Sequence, residues 1–168
     1  LRPCRGGDFA LLMRSGRDTA QIYASALKEQ GVDAVLSASE GYFSSREVML
    51  MVSLLRVLDN PLLDIPMAAV LLSPVFGFDC DQVAALSADW PEQSLYGALI
   101  RQSAGRNPEK AAKASAFLSL FGSLRTKAAS MGIGQFIQYV YDATDFVEVM
   151  NRFSDSAARE ANLRLLLK

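Results

Sequence analysis

Arg14 is the side chain in this sequence best placed to do chemistry. It follows directly on a continuous apolar run, Phe9-Ala10-Leu11-Leu12-Met13, whose length suits a fully buried strand. Loops at strand ends of an open α/β sheet are where such folds meet their ligands. A guanidinium there never loses its charge and can bond two phosphate oxygens at once, although a strand-end arginine can equally be an ordinary surface cation. Three carboxylates, Glu47, Asp59 and Asp64, could be imagined as an acid–base or metal set, but no ligand spacing links them. Capping accounts for them more simply. Glu47 stands three residues after Ser44, Asp64 opens a helical run, and Asp59 sits at a helix end. Tyr42 and Phe43 could stack on a base, or could plug the entry of the helix that follows. Cations gather at Arg101, Arg106, Lys110 and Lys113, then at Arg125 and Lys127. A solvated helix face is the commoner meaning of such spacing, and phosphate contact is the other.

Composition narrows the chemistry further. The chain has no histidine, which excludes His-based metal sites and His general bases. Its formal charge of −1 gives no overall nucleic-acid signature, so any DNA contact must come from a local patch. Cys4 and Cys80 make no disulfide framework, and buried or idle thiols are the expectation. With 51% hydrophobic residues and a mean hydropathy of +0.16, the 168 residues predict an ordered globular chain. No apolar run reaches membrane-spanning length without a charge or proline, and no signal peptide opens the chain. There is no G-x-x-x-x-G-K-[ST] loop, no Asp-Glu pair after an apolar strand and no nuclease-type acidic cluster. The chain alone is therefore expected neither to hydrolyse ATP nor to cut DNA. It starts at Leu1 and stops at Lys168 inside a helical pattern, which reads as a piece of something longer.

The elements that must position these residues fall into two classes. A strand at 9–13, a helix from Asp18 with Ile22, Tyr23, Ala26 and Leu27 on one face, Gly31 just past its end, and a strand at 32–36 make a βαβ unit. Small polar residues at 37–40 mark the boundary. The remainder is helical and is organised around residues 41–78, GYFSSREVMLMVSLLRVLDNPLLDIPMAAVLLSPVFGF. Ser44 is the expected N-cap of a helix that is apolar almost all round over 48–58, hence the central helix of a bundle. Asn60-Pro61 stops it, Asp64 and Pro66 start the next, and Ser73-Pro74 stops that one. Asp79 and Gln82 form a capping signal for a helix through Leu86, and 91–100 reads as another. Asn107-Pro108 starts a helix with Ala114, Phe117, Phe121, Leu124 and Ala128 on one stripe. A further helix covers 135–144, with Phe136, Ile137 and Val140 inward, and Ser154 or Asp155 caps the last. The fold class expected is mainly α: a helical bundle over 41–168 with a small N-terminal βαβ piece over 1–40.

Three stretches resemble the AddA-type helicase–nuclease subunits of the UvrD/RecB group of superfamily 1 helicases. LLRVLDNPLLDIPMAAVLLSPVFGF (54–78) is similar to the segment that follows their motif IV, GGDFALLMRS (6–15) to motif IV itself, and REANLRLLL (159–167) to the helix before motif V. The resemblance implies that 1–40 belongs to the second RecA-like motor domain and that 41–168 is the inserted, 2B-like helical domain. It implies that Arg14 contacts the γ-phosphate of ATP across a cleft between two motor domains, with Mg and a phosphate loop supplied elsewhere in a longer parent. That parent would be an ATP-dependent helicase and exonuclease working on DNA in double-strand break repair and recombination. It would act in the bacterial cytoplasm, away from membranes, with an AddB-like partner as the second subunit. Two departures stand out. Met13 replaces the aromatic that UvrD-like relatives carry before the arginine, as suits the AddA branch. PVFGFDCDQV (74–83) holds two aspartates and no cation where those relatives have a basic duplex-binding turn. The alternative is a stand-alone helical module for protein or DNA contacts, without a motor.

Overall fold

The computed structural model of the chain describes residues 2–13, 19–32, 34, 42–153 and 156–167. The chain divides into two compact units, Leu1–Ser45 and Arg46–Lys168.

In the first unit the helix expected after Asp18 forms as α1, Ala20–Glu29. Gly31 ends it as the sequence predicts. With φ 74° it takes the left-handed turn, its N–H bonds the Lys28 carbonyl and the Val32 N–H reaches back to Leu27, both at 2.9 Å. This double closure satisfies the last carbonyls of the helix. Ahead of it, Asp8 closes a single 3₁₀ turn, Gly6–Asp8, and accepts the Arg2 guanidinium at 2.7 Å and the Arg5 N–H at 2.8 Å. The Arg2 bond, then the Arg5 amide, hold the Asp8 carboxyl below the usual aspartate range.

The expected βαβ piece is not seen, because no strand is present among the described residues. Residues 9–13 run outside any strand, as do Val32 and Ala34, while 33, 35 and 36 lie outside the described residues. A parallel strand needs a ladder beside it and cover on both faces. Neither is met at 9–13, where Phe9 is 73% and Leu12 93% exposed. On α1 the face expected to be buried is open as well, with Ile22, Tyr23 and Ala26 exposed and Leu27 half-buried.

The second unit is an all-helical bundle: α2 Arg46–Asp59, α3 Asp64–Leu71, α4 Cys80–Asp89, α5 Leu95–Ser103, α6 Pro108–Ala128, α7 Ile133–Thr144, α8 Phe146–Asn151 and α9 Ser156–Leu165. No helix among the described residues is long and apolar enough to cross a membrane. α2 packs on α3, α6 and α9, so it is central as expected. It is not buried all round, however. Val48, Met51, Leu54, Val57 and Leu58 face the core at helical spacing, while Met49 and Arg56 are exposed. Its start also differs from the capping box expected at Ser44. Ser44 ends a short 3₁₀ turn, the helix begins at Arg46, and the buried Glu47 instead accepts the Asn162 amide of α9 at 2.7 Å.

Asp64 is a second carboxylate whose partner is distant. It is the first residue of α3, not its cap, and its carboxylate accepts the Leu95 N–H at 2.8 Å, tying α3 to the start of α5. Local signals elsewhere are met. Asp79 and Gln82 form a reciprocal capping box on α4. Asn107 caps α6 by accepting the Lys110 N–H, with Pro108 in its first turn and Ala114, Phe117, Phe121 and Leu124 buried; Ala128, expected on that stripe, is exposed. α7 brings in Phe136, Ile137 and Val140, and its buried Tyr141 hydroxyl donates to the Leu163 carbonyl of α9 at 3.0 Å. α8 is an element that periodicity did not predict, since Asp145 turns the chain in the left-handed region (φ 49°) between α7 and α8. The expected caps of α9, Ser154 and Asp155, lie outside the described residues.

Candidate functional site

Arg14, the residue singled out for nucleotide contact, lies outside the described residues. The remaining candidates are in the helical unit or at its entry, and the structure separates those that are committed to the fold from those that face solvent.

Glu47, Asp59 and Asp64 are not brought together. Glu47 holds Asn162, Asp64 holds the Leu95 amide, and Asp59 is exposed at the end of α2. Among the described residues no three His, Cys, Asp or Glu side chains gather as a metal site. Cys4 and Cys80 are free thiols, both exposed. Tyr42 is half-buried and Phe43 exposed, their rings edge to face at 5.0 Å.

The turn between α3 and α4 falls in the acidic stretch 74–83. It is tightly built. The Gly77 and Phe78 N–H groups bond the Ser73 and Leu71 carbonyls at 2.8 and 3.0 Å, and Gly77 has φ 65°. Phe76 and Phe78 both meet Phe117 of α6 edge to face. Although the turn has no cation of its own, Lys113 of α6 supplies one. Its ammonium donates to the Gly77 carbonyl and to Gln82 Oε1, each at 2.7 Å, and lies 4.6 Å above the Phe78 ring. That cation is bound inward and pins the turn. The charged side chains that the turn shows to solvent are Asp79 and Asp81.

The cations grouped by spacing therefore separate by task. Arg125 donates to the Leu58 carbonyl at 3.1 Å, satisfying one of the last carbonyls of α2, and Lys127 lies over Tyr139 at 6.0 Å. Arg101, Arg106 and Lys110 are exposed around the α5–α6 joint, and Lys110 lines a small cavity of about 120 Å³ together with Phe78, Gln102 and Lys113 among others. A larger groove, of about 300 Å³, opens between α2, α3 and the turn after α8. Sequence reasoning missed it, because its walls come from residues a hundred positions apart.

No family model matches the chain. Over 165 residues, 98% of its length, it is 31% identical to the ATP-dependent helicase/nuclease A-subunit of Carboxydothermus hydrogenoformans, of which it spans 14%. It is 37% identical over 164 residues to the protein of that name from Geobacillus kaustophilus, spanning 13% of it. To the one from Thermoanaerobacter sp. it is 32% identical over 161 residues, again 13% of that relative. The resemblance read from residues 6–15, 54–78 and 159–167 is thus shared by nearly the whole chain.

Proposed function

From a chain that corresponds along nearly all its length to one segment of the ATP-dependent helicase/nuclease A-subunit, we propose that it works within a protein of that kind. In this reading residues 1–40 carry motif IV of the second RecA-like motor domain, and residues 41–168 are its inserted, 2B-like accessory domain. The whole protein would bind ATP and Mg, unwind and degrade DNA in double-strand break repair and recombination, and pair with an AddB-like second subunit in the bacterial cytoplasm. The single observation that supports the reading is that 95–98% of the chain matches a segment of one named protein in several organisms. Within the helical unit, the inward commitment of Lys113 and the outward Asp79 and Asp81 favour partner contacts over duplex binding at the α3–α4 turn.

Arg14 is the residue that tests it. A guanidinium on the γ-phosphate stabilises charge that builds on the transferring group, and such arginines contribute on the order of 10³–10⁵ in rate. The lower end or less is expected here, because motif VI of this group supplies a second arginine. In the whole protein, Arg14→Ala should slow DNA-stimulated ATP hydrolysis strongly with an unchanged melting temperature. Arg14→Lys should restore only part, since a point charge cannot make the two-pronged contact. Near-normal turnover of Arg14→Ala would remove the functional content of the motif IV assignment.

A further inference from the structure

The groove of about 300 Å³ between α2, α3 and the turn after α8 combines an apolar wall with two arginines. Its walls are apolar: Met49, Leu50, Leu72, Met150 and Phe153, with Met49 49% and Phe153 40% exposed. Arg46 and Arg159 also line it, and their guanidinium carbons stand 5.9 and 5.6 Å from the centre of the Phe153 ring.

Among the described residues no aspartate or glutamate lines the groove. The ion pairs among the described residues, Arg2–Asp8, Arg152–Glu148 and Arg164–Glu160, include neither arginine. The hydroxyls of Ser53 and Ser73 are turned away, donating to the Met49 and Val70 carbonyls at 2.8 and 2.6 Å. The polar demand of the groove is therefore cationic, and it borders directly on an apolar wall.

We propose that this groove docks an apolar segment of a partner protein that carries a carboxylate between its anchoring side chains. Charge complementarity supplies the carboxylate, which a pair of guanidiniums can hold through several N–H donors. The exposed Met49 suits the anchors, since an unbranched thioether chain adapts its shape to an aliphatic or aromatic insert. Nucleic acid fits less well. Base stacking needs an open aromatic face, and the guanidiniums already occupy the π surface of Phe153. Two cations are also few for a backbone track. The inference deepens the accessory-domain reading above by naming the chemistry of its partner.

A library of displayed random peptides, selected on the 168-residue chain, tests it directly. Enriched peptides should share an aspartate or glutamate close to leucine, methionine or an aromatic. Titrated in, they should shift the methyl signal of the exposed Met49 while those of Met51 and Met67, which do not line the groove, stay in place. The double variant Arg46→Glu, Arg159→Glu should bind at least about tenfold more weakly with an unchanged melting temperature, as loss of charged contacts at an interface predicts. Lysine-for-glutamate versions of the peptides should bind that variant better than the wild type. Failure to enrich any peptide, enrichment without carboxylates, or equal binding to the double variant would overturn the proposal. So would an oligothymidylate that moves the Met49 methyl at lower concentration than any peptide. None of these outcomes bears on the ATPase result for Arg14, so the two readings fail separately.

Discussion

Glu47 and Asn162 lie 115 positions apart and meet in a 2.7 Å hydrogen bond at the junction of α2 and α9. Glu47 is buried, so its carboxylate depends on that amide where water is scarce. Asn162→Ala should therefore destabilise the chain by about 1–3 kcal/mol, the range for leaving a buried polar group without its partner. Chemical denaturation of the single and double variants checks this. The cost of Asn162→Ala should shrink when Glu47→Leu is already present, and undiminished additivity would mean that the two side chains do not act together. The same pair shows the limit of local reading. Glu47 and Asp64 both stand where a capping role is locally sensible, yet each bonds an element far along the chain. Where the partner is near, as for Asp79 with Gln82 or Asn107 with Lys110, spacing alone was enough.

At the scale of the element, α2 divides into a face that is buried and a face that is half-open. Leu54 is wholly buried among core residues, while its neighbour Leu55 is only partly so. Leu54→Ala should cost about 3–5 kcal/mol, as for a leucine removed from a close-packed core, and Leu55→Ala clearly less. Thermal unfolding of the two variants decides it, and equal losses would mean that the helix is buried on both sides. The sequence alone could not make this distinction, because residues 48–58 are apolar nearly all round and periodicity loses its contrast there. The open side of α2 forms one wall of the arginine-bearing groove. Strands fared worse than helices for a related reason. A helix satisfies its backbone within its own sequence, whereas the strand expected at 9–13 depends on a neighbouring ladder that no local pattern can supply. Asp145 hid the separate α8 in another way, since a left-handed residue there is signalled by no glycine.

For the whole molecule, apolar burial is very unevenly divided. The continuous core runs from Met51 to Leu163, through α2 to α9, and every one of its members belongs to the unit Arg46–Lys168. In the unit Leu1–Ser45 the described buried apolar residue is Ala20. Stability should follow that division, because burial of apolar surface is the main favourable term in folding. A chain reduced to residues 46–168 is therefore expected to unfold in one cooperative step, with a melting temperature within a few degrees of the 168-residue chain. Amides of α1 should exchange with solvent well before those of α2 and α6, since few buried contacts hold them closed. Calorimetry on the shortened chain together with hydrogen exchange on the full one makes the test. A broad or absent transition for 46–168 would show that the helical core needs residues 1–45 to form. Protection of α1 equal to that of α6 would show that the first unit takes a larger part in the stable core than its exposed Phe9, Leu12 and Ile22 indicate.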